Sequence, residues 1–175
     1  MLLAMSSTSS THAAEGVEKP ALAPLAFVRF CMEYPEDCRA AGDRTAKPLD
    51  WSPDLIRRLS AVNAAVNAQI KPRPRPAGPG IERWLVAPAR GDCNDYAVTK
   101  RHRLLAEGLP PSALLLAVVT APSNEGHLVL LVRTTRRDMV LDNLDGAIRP
   151  LPDTRHRLIS RQTATDPRRW ASLTR

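Results

Sequence analysis

Three residues, a cysteine, a histidine and an aspartate in that order along the chain, have the chemical types that nucleophilic catalysis requires. Cys93 begins a predicted helix, where free backbone N–H groups and the positive end of the helix dipole stabilise a thiolate. A nucleophilic cysteine needs a base, and the base needs an orienting group. His127 and Asp142 follow in the order of a Cys-His-Asp triad. This order predicts thiol-based catalysis centred on Cys93.

A predicted β-hairpin brings His127 and Asp142 together. His127 opens one predicted strand, residues 127–133, and Asp142 ends the next, residues 138–142. In an antiparallel hairpin the numbers of paired residues have a constant sum, and the turn predicts a sum of about 270. His127 is then roughly opposite Asn143, and Asp142 lies within one position of it. A slip of one residue would move either side chain to the other face.

Each of these residues also has a non-catalytic interpretation. A lone cysteine at a helix start is usually a small buried apolar residue. His127 could simply cap a strand, and Asp142 could belong to the turn of residues 142–146. Their joint order and the hairpin favour catalysis over these alternatives. The other histidines lack a comparable context, and these are His12, His102 and His156.

Two helices are predicted from apolar periodicity and from signals at their ends. The first covers residues 53–70, where Leu, Val and Ile recur at helical spacing after a Ser-Pro-Asp start. The second covers residues 93–107 and carries Cys93, and Gly108 suits its C-terminal cap. Between them, residues 71–80 are rich in proline and are predicted to be an extended polyproline II connector.

The chain beyond the second helix predicts β-structure. Residues 113–120 form a continuous, largely apolar run that is typical of a strand covered on both faces. With the hairpin of residues 127–142 they predict an antiparallel meander packed on the helices, an α+β fold in one domain over residues 21–175. Residues 1–20 end in small residues but lack a basic region and a full apolar segment. We interpret them as the remnant of an export signal or as a disordered arm.

The other two cysteines, Cys31 and Cys38, lie close together along the chain. The proline between them can reverse the chain, so a disulfide is sterically reasonable. Two separate buried thiols or a metal pair are the alternatives, and the metal pair lacks the second close Cys/His pair that structural zinc needs. A disulfide would leave Cys93 as the free cysteine, and it would favour an oxidising compartment such as the periplasm.

The formal net charge of +7 over 175 residues raises nucleic acid as a partner. The basic residues are scattered, however, without a block of like charges, and aromatic residues make up only 4% of the chain. No zinc-finger, helix-turn-helix or RRM signature accompanies them. We therefore expect no specific nucleic-acid partner. We also expect no transmembrane segment, because no apolar run approaches the required length. The sequence does not indicate whether the protein is a monomer or an oligomer.

Several motifs resemble the bacterial transglutaminase-like cysteine proteinases, a family that includes the LapG-type periplasmic proteases of large surface adhesins. The likeness spans about residues 25–170, and its Asp-Cys, Gly-His and Leu-Asp-Asn blocks occur in the family's order. The residues that carry it are Phe30, Cys31, Tyr34, Pro35, Cys38, Val62, Asn63, Val66, Asn67, Trp84, 91–97, 100–102, Gly126, His127, 140–144, Arg161, Gln162, Asp166 and Trp170.

The resemblance implies a papain/transglutaminase-like core, with the nucleophile-bearing helix packed on the β-meander. It implies that Cys93 is the nucleophile, His127 the base and Asp142 the orienting residue of an exported thiol-dependent peptidase. Such an enzyme hydrolyses a protein or peptide amide bond through an acyl-enzyme, with the Cys93 backbone N–H as candidate oxyanion donor. Acyl transfer to an amine, as in true transglutaminases, and a non-catalytic binding module of the same fold are the alternatives.

The resemblance also raises calcium, which acids flanking the cysteine bind in LapG-type members. Asp92 and Asp95 are present here, but Asn94 stands where the family usually has Glu. We therefore expect a calcium site with fewer charged ligands and weaker binding, and we favour helix capping as the role of both acids. The chemistry requires no cofactor. The expected partner is a protein or peptide substrate, with a surface protein as one candidate, and the expected location is periplasmic or secreted.

Overall fold

The computed structural model describes residues 18–40, 46–73 and 82–173. The helices of this part of the chain are α1 (Leu25–Glu33), α2 (Pro53–Gln69) and α3 (Cys93–Ala106). The strands are β1 (Glu18–Ala21), β2 (Lys71–Pro72), β3 (Arg90–Gly91), β4 (Leu114–Thr120), β5 (Gly126–Val132), β6 (Met139–Leu141), β7 (Arg149–Pro150), β8 (Arg157–Gln162) and β9 (Trp170–Leu173). Short 3₁₀ helices cover Pro35–Cys38, Pro111–Ala113 and Leu151–Asp153.

Seven strands form one sheet in the order β1-β9-β8-β4-β5-β6-β7, in which every neighbouring pair is antiparallel. β2 and β3 form a separate parallel pair. The strands β4, β5 and β6 are neighbours, as the predicted meander requires. Alternate residues of β4 and β5 are buried in apolar clusters on the two faces of the sheet, which explains their continuous apolar sequence. The predicted α+β fold is confirmed.

Both predicted helices are present with nearly the predicted ends. At the start of α2, the Ser52 hydroxyl accepts a hydrogen bond of 3.1 Å from the Leu55 backbone N–H, and the helix ends at Gln69. The helix α3 ends at Ala106, and Gly108 just beyond it has a φ of +87°, the left-handed conformation that a glycine adopts without strain. Local signals therefore set the start of α2 and the end of α3, the helix that carries Cys93.

The core consists of two apolar clusters on opposite faces of the sheet. The larger cluster lies against the helices, and it includes Leu59, Val66, Val98, Leu104, Leu114, Leu116, Leu128 and Leu130. The smaller cluster lies on the other face, and it is formed by Leu115, Ala117, Val119, Val129, Leu131 and Val140. The helix α3 packs against β5 on one side and α2 on the other. This packing holds the first turn of α3 next to the beginning of β5.

The few aromatic residues are concentrated where α1 meets the sheet. The Phe27 ring centroid lies 5.9 Å from that of Trp84, 5.5 Å from that of Trp170 and 6.2 Å from that of Phe30. Aromatic pairs at these distances add attraction beyond the burial of apolar area. The cluster fixes α1, which the sequence analysis does not predict, against the last strand.

The sheet begins inside the stretch that the sequence analysis assigns to an export remnant or disordered arm. Residues 18–21 form β1 and pair with residues 170–173 of β9. This pairing joins distant parts of the chain, so no local pattern indicates it. Residues 1–17 lie outside the described residues, as does most of the predicted polyproline connector, residues 74–80. The sulfur atoms of Cys31 and Cys38 lie 1.99 Å apart.

Candidate active site

Cys93 is the first residue of α3, and its side chain is half-buried. A capping box forms the turn around it. The Asp92 carboxylate accepts a 3.0 Å hydrogen bond from the Asn94 backbone N–H, and the Asp95 carboxylate accepts one of 3.0 Å from the Asp92 N–H. Gly91 permits this close approach, since a Cβ at that position would lie 2.6 Å from an Asp95 oxygen. The box holds the thiol at the start of the helix.

His127 contacts both of the other predicted site residues. Its Nε2 lies 2.7 Å from Oδ1 of Asp142, and His127 and Asp142 are only 7% and 4% exposed. The His127 side chain also forms a hydrogen bond with the Cys93 side chain. Because Nε2 is engaged by Asp142, the nitrogen that faces Cys93 is Nδ1. The structure thus brings together the three residues that the sequence analysis singled out.

The strand register explains why His127 and Asp142 meet. Leu130 pairs with Leu141, so paired residue numbers sum to 271, one more than expected. Continuing this register places Asp142 opposite Val129, two residues from His127 and on the same face of the sheet. If the paired residue numbers summed to 270, the Asp142 side chain would lie on the face of the sheet opposite to His127. The difference of one residue therefore matters, because side chains alternate along a strand.

The helix α2 fixes the turn that carries Asp142. The Asn67 side-chain amide donates a 2.9 Å hydrogen bond to the Asp142 backbone carbonyl, and the Asn63 amide donates one of 3.1 Å to the Gly146 carbonyl. Within the turn, the Leu144 backbone N–H donates to Oδ1 of Asp142 at 3.1 Å. Two amides from one helix and one backbone donor thereby set the position of this carboxylate.

A second histidine, His156, also binds Asp142, and the expectation that His156 has no context comparable to that of His127 was wrong. Nε2 of His156 lies 2.8 Å from Oδ2 of Asp142, and the His156 side chain is 7% exposed. His156 immediately precedes β8, which lies beside β4, so pairing brings it to the end of β5 that carries His127. The signal for β8 is weak, because arginine, serine and glutamine interrupt its apolar residues.

The side chains of His127, Asp142 and His156 also have the types and spacing of metal ligands, since their ligand atoms lie within 4.8 Å of one another. The hydrogen bonds of 2.7 and 2.8 Å to Asp142 already account for the arrangement. Of the other histidines, His102 lies 2.9 Å from Asp37, and His12 is outside the described residues.

The electrostatics of the His127–Asp142 pair favour an ion pair. Burial alone would lower the pKa of His127, but the hydrogen bonds and charges of Asp142 and Cys93 raise it to about 9. Burial alone would raise the pKa of Asp142, but hydrogen bonds from His127, the Leu144 N–H and His156 bring it to about 2. At neutral pH the carboxylate is therefore ionised and the imidazole is protonated.

An open cleft of about 670 Å³ gives access to the cysteine, and it is lined by Cys93, Tyr96, Ser123, His127, Asn143 and Leu144 among others. A neighbouring hollow of about 760 Å³ borders Asp142 and His156. Leu144, which is 63% exposed, lines both spaces. Cys93 can therefore be reached from solvent through this cleft.

The sequence matches the family of bacterial transglutaminase-like cysteine proteinases over residues 17–175. The chain belongs to this family. This membership confirms the resemblance to that family described above. A search of curated proteins finds no match. In the described part of this proteinase, no helix is long and apolar enough to cross a membrane.

Solved structures of LapG from Legionella pneumophila share the fold of this proteinase. One aligns at 24% identity with a TM-score of 0.56 and covers 66% of each chain, slightly less than two thirds of LapG. The calcium-bound form aligns at 22% identity with a TM-score of 0.58 over 71% of each chain. The EGTA-treated form aligns at 22% identity with a TM-score of 0.56. At these identities the likeness concerns the fold, and it fits the expected transglutaminase-like core.

The acids beside Cys93 are engaged within the proteinase itself. Oδ1 of Asp95 accepts a 2.8 Å hydrogen bond from the Leu85 N–H, its Oδ2 accepts the capping bond from Asp92, and the Arg73 guanidinium lies 3.6 Å from Oδ2. Burial raises the pKa of Asp95, against the effect of these two backbone donors. Both carboxylate oxygens of Asp95 thus serve as acceptors that hold the start of α3.

Asn94 changes the charge of this region. Its side-chain amide donates a 2.5 Å hydrogen bond to Glu82, and its side chain is buried. Calcium prefers several charged oxygen ligands with freedom to surround the ion. A neutral amide at residue 94, an arginine beside Asp95 and the capping bonds of Asp92 make this donor set a poor fit to calcium.

Proposed function

We propose that this proteinase is an exported peptidase that hydrolyses an amide bond of a protein or peptide substrate through a Cys93-His127-Asp142 triad. The observation that carries the proposal is the buried His127 ring, which bonds to Asp142 through Nε2 and to Cys93 through the other nitrogen. A base held between a nucleophile and an orienting acid is the arrangement that nucleophilic catalysis requires. Membership of a peptidase family supports the choice of hydrolysis.

The reaction begins with the Cys93 thiolate beside the protonated His127 ring, whose Nδ1 holds the proton that the thiol has given up. The thiolate attacks the substrate carbonyl carbon, and the imidazolium then donates its proton to the departing amine, which leaves a thioester on Cys93. His127 next removes a proton from water, which attacks the thioester and releases the acid. Asp142 holds the ring orientation and stabilises the imidazolium throughout. The Cys93 backbone N–H, at the first residue of α3, is the proposed oxyanion donor.

The test uses a proteome-derived peptide mixture, with mass spectrometry to identify new termini. We expect wild type to produce new termini and Cys93→Ala to produce none. Alkylation by iodoacetamide provides a second readout, because Cys93 is the cysteine that lies outside the Cys31–Cys38 pair. We expect faster alkylation than for a cysteine in an unfolded peptide at pH 7, and slower alkylation in His127→Ala. An absence of cleavage together with ordinary thiol reactivity would instead support the non-catalytic binding module.

Transamidation shares this triad, so only the product distinguishes it. Adding a primary amine to the cleavage assay decides between the two reactions. Hydrolysis predicts the free acid as the main product, whereas amide products at low amine concentration would support acyl transfer.

We also propose that Cys31 and Cys38 form a disulfide and that the proteinase acts in the periplasm or outside the cell. Their Cα atoms lie 5.5 Å apart, within the range for disulfides, and disulfides persist in oxidising compartments. Thiol titration of the denatured chain is expected to find one free thiol before reduction and three after it. Three free thiols in protein isolated from its native compartment would contradict the proposal.

For calcium, we propose that Asp92 and Asp95 act mainly as helix-capping residues and that the chemistry needs no cofactor. We therefore expect EGTA to leave the alkylation rate of Cys93 unchanged and calcium titration to show at most weak, millimolar binding. Asn94→Glu tests the charge argument, because restoring a carboxylate should tighten calcium binding. Tight binding by the wild type would refute the capping interpretation.

A further inference from the structure

We propose that His156 is a positioning residue of the active site, which holds the Asp142 carboxylate in the orientation that His127 needs. The inference rests on the proposed function, because it assumes that Asp142 orients the base. Each carboxylate oxygen has its own histidine: Oδ1 lies 2.7 Å from Nε2 of His127, and Oδ2 lies 2.8 Å from Nε2 of His156. The two rings have centroids 5.7 Å apart. Asp142 is thus held from two sides.

Two donors on opposite oxygens restrict the carboxylate more than one donor can. A carboxylate bound through Oδ1 alone can still swing about its Cβ–Cγ bond, and this motion moves Oδ1 away from the base. A donor on Oδ2 opposes that rotation. Asp142 is 4% exposed, so bulk water cannot take the place of this donor as long as a ring fills the position of the His156 side chain, as it does in His156→Phe. The orientation of His127 therefore depends on His156, although His156 does not contact the reacting atoms.

The environment of His156 indicates that Asp142 is its main polar partner. Its Nδ1 is buried and has no hydrogen-bond partner among the described residues. Its backbone N–H donates to the Thr154 hydroxyl at 3.3 Å, and that hydroxyl donates to the Leu151 carbonyl at 2.8 Å. The loop thus fixes the backbone of His156, and the ring is committed to Asp142. Burying a polar ring with one nitrogen unsatisfied lowers the stability of the fold. Such a cost is consistent with a residue that has a role in the active site.

The test compares His156→Phe, His156→Gln and His156→Ala with a matched control, His102→Phe. His102 also pairs with an aspartate, at 2.9 Å from Asp37, and no residue of the proposed triad is involved. The readout is the rate of Cys93 alkylation by iodoacetamide as a function of pH, together with the melting temperature. The charges of Lys100 and Asp145, which also act on Asp142, are unchanged in all four variants.

We expect His156→Phe to slow alkylation at pH 7 on the order of tenfold, the usual effect of losing a hydrogen bond to a charged group. The pH profile should move to higher pH by about one unit, because a less firmly held Asp142 stabilises the imidazolium less. His156→Gln, whose amide can donate to Oδ2, should restore most of the rate. His102→Phe should alter the melting temperature at most.

Imidazole gives an independent arm of the experiment. The hollow of about 760 Å³ beside His156 offers a route into the space that His156→Ala opens. Added imidazole should therefore accelerate alkylation in this variant and not in wild type. Failure of imidazole to do so, combined with a wild-type pH profile in folded His156→Phe, would overturn the proposal. His127→Ala keeps the two proposals distinguishable: if it is slow while the His156 variants match wild type, the triad stands and the positioning role falls.

Discussion

Lys100 provides a quantitative test of the buried electrostatics around the site. It is fully buried in α3, its Nζ has no hydrogen-bond partner among the described residues, and Nζ lies 5.8 Å from the Tyr96 ring centroid. Burial lowers the pKa of Lys100 from 10.5 to about 7, against the opposing effect of Asp142. Lys100→Met removes the charge and keeps a side chain of similar shape. We therefore expect this substitution to stabilise the fold at neutral and acidic pH.

The magnitude follows from the proton balance. Between pH 7 and 10.5 the unfolded chain binds the Lys100 proton and the folded chain does not, so Lys100 makes the free energy of unfolding rise by about 1.4 kcal/mol per pH unit. Over the whole window this amounts to roughly 5 kcal/mol. His127 acts in the opposite sense. Its pKa is raised from 6.5 to about 9, so its stabilising contribution is complete below pH 6.5 and is lost as the pH rises through 9.

In wild type these two contributions largely cancel between pH 7 and 9. The free energies of unfolding of wild type and Lys100→Met are measured in urea at several pH values. Their difference isolates the contribution of Lys100, because the other titrating groups are present in both proteins. We expect the variant to be more stable by roughly 5 kcal/mol at pH 6. This advantage should shrink by about 1.4 kcal/mol per unit above pH 7. Lys19→Met, at an exposed position of β1, should follow wild type.

Three results would refute this reasoning. A Lys100→Met variant less stable than wild type at pH 6 would mean that the ammonium group makes a favourable interaction that outweighs its desolvation. An advantage that does not change with pH would mean that Lys100 keeps its proton in the folded chain. A matching pH slope in Lys19→Met would show that the effect does not come from burial.

Three other predictions follow from the core, the cysteine pair and the triad. Phe27→Ala should lower the free energy of unfolding by about 3–5 kcal/mol in urea titrations, because its ring fills the aromatic cluster; a loss below about 1 kcal/mol would mean that the site collapses around the gap. Replacing Cys31 and Cys38 together by alanine should cost about 2–3 kcal/mol through loop-closure entropy, and reductant should shift the wild-type melting temperature similarly but leave the variant unaffected. Asp142→Asn should reduce peptide cleavage on the order of 10³-fold or more, because the amide favours the wrong tautomer of His127; near-normal cleavage would exclude Asp142 as the orienting residue.

Local chemistry made much of the site predictable. The Ser-Pro-Asp start of α2 and the glycine after α3 are signals that act within a few residues, so both helices could be predicted with their ends. The strands β4 and β5 are covered on both faces, and their composition alone indicates this. Cys93 and His127 lie at the ends of these elements. Their positions therefore followed from the sequence.

What the sequence did not predict depends on contacts between distant segments. Sequence separation hides the pairing of β1 with β9 and the position of His156 beside β5. The helix α1 has no side-chain cap and no acid in its first turn, so it lacks the usual start signal. The hairpin register differed by one residue, because the turn after β5 is irregular and its length does not fix the pairing. The resemblance to a known family supplied the roles that spacing alone left open.

The pairing of β1 with β9 has a consequence for how the chain is made. The strand at one edge of the sheet is the first described element, and its partner is the last. The aromatic contacts of Phe27 likewise include Trp170, which lies in the last strand. During synthesis, neither the edge strand nor the cluster can close until the final strand has left the ribosome, and such long-range closure is slow. A chain that stops before residue 170 would contain all three residues of the proposed triad but would lack the strand that pairs with β1.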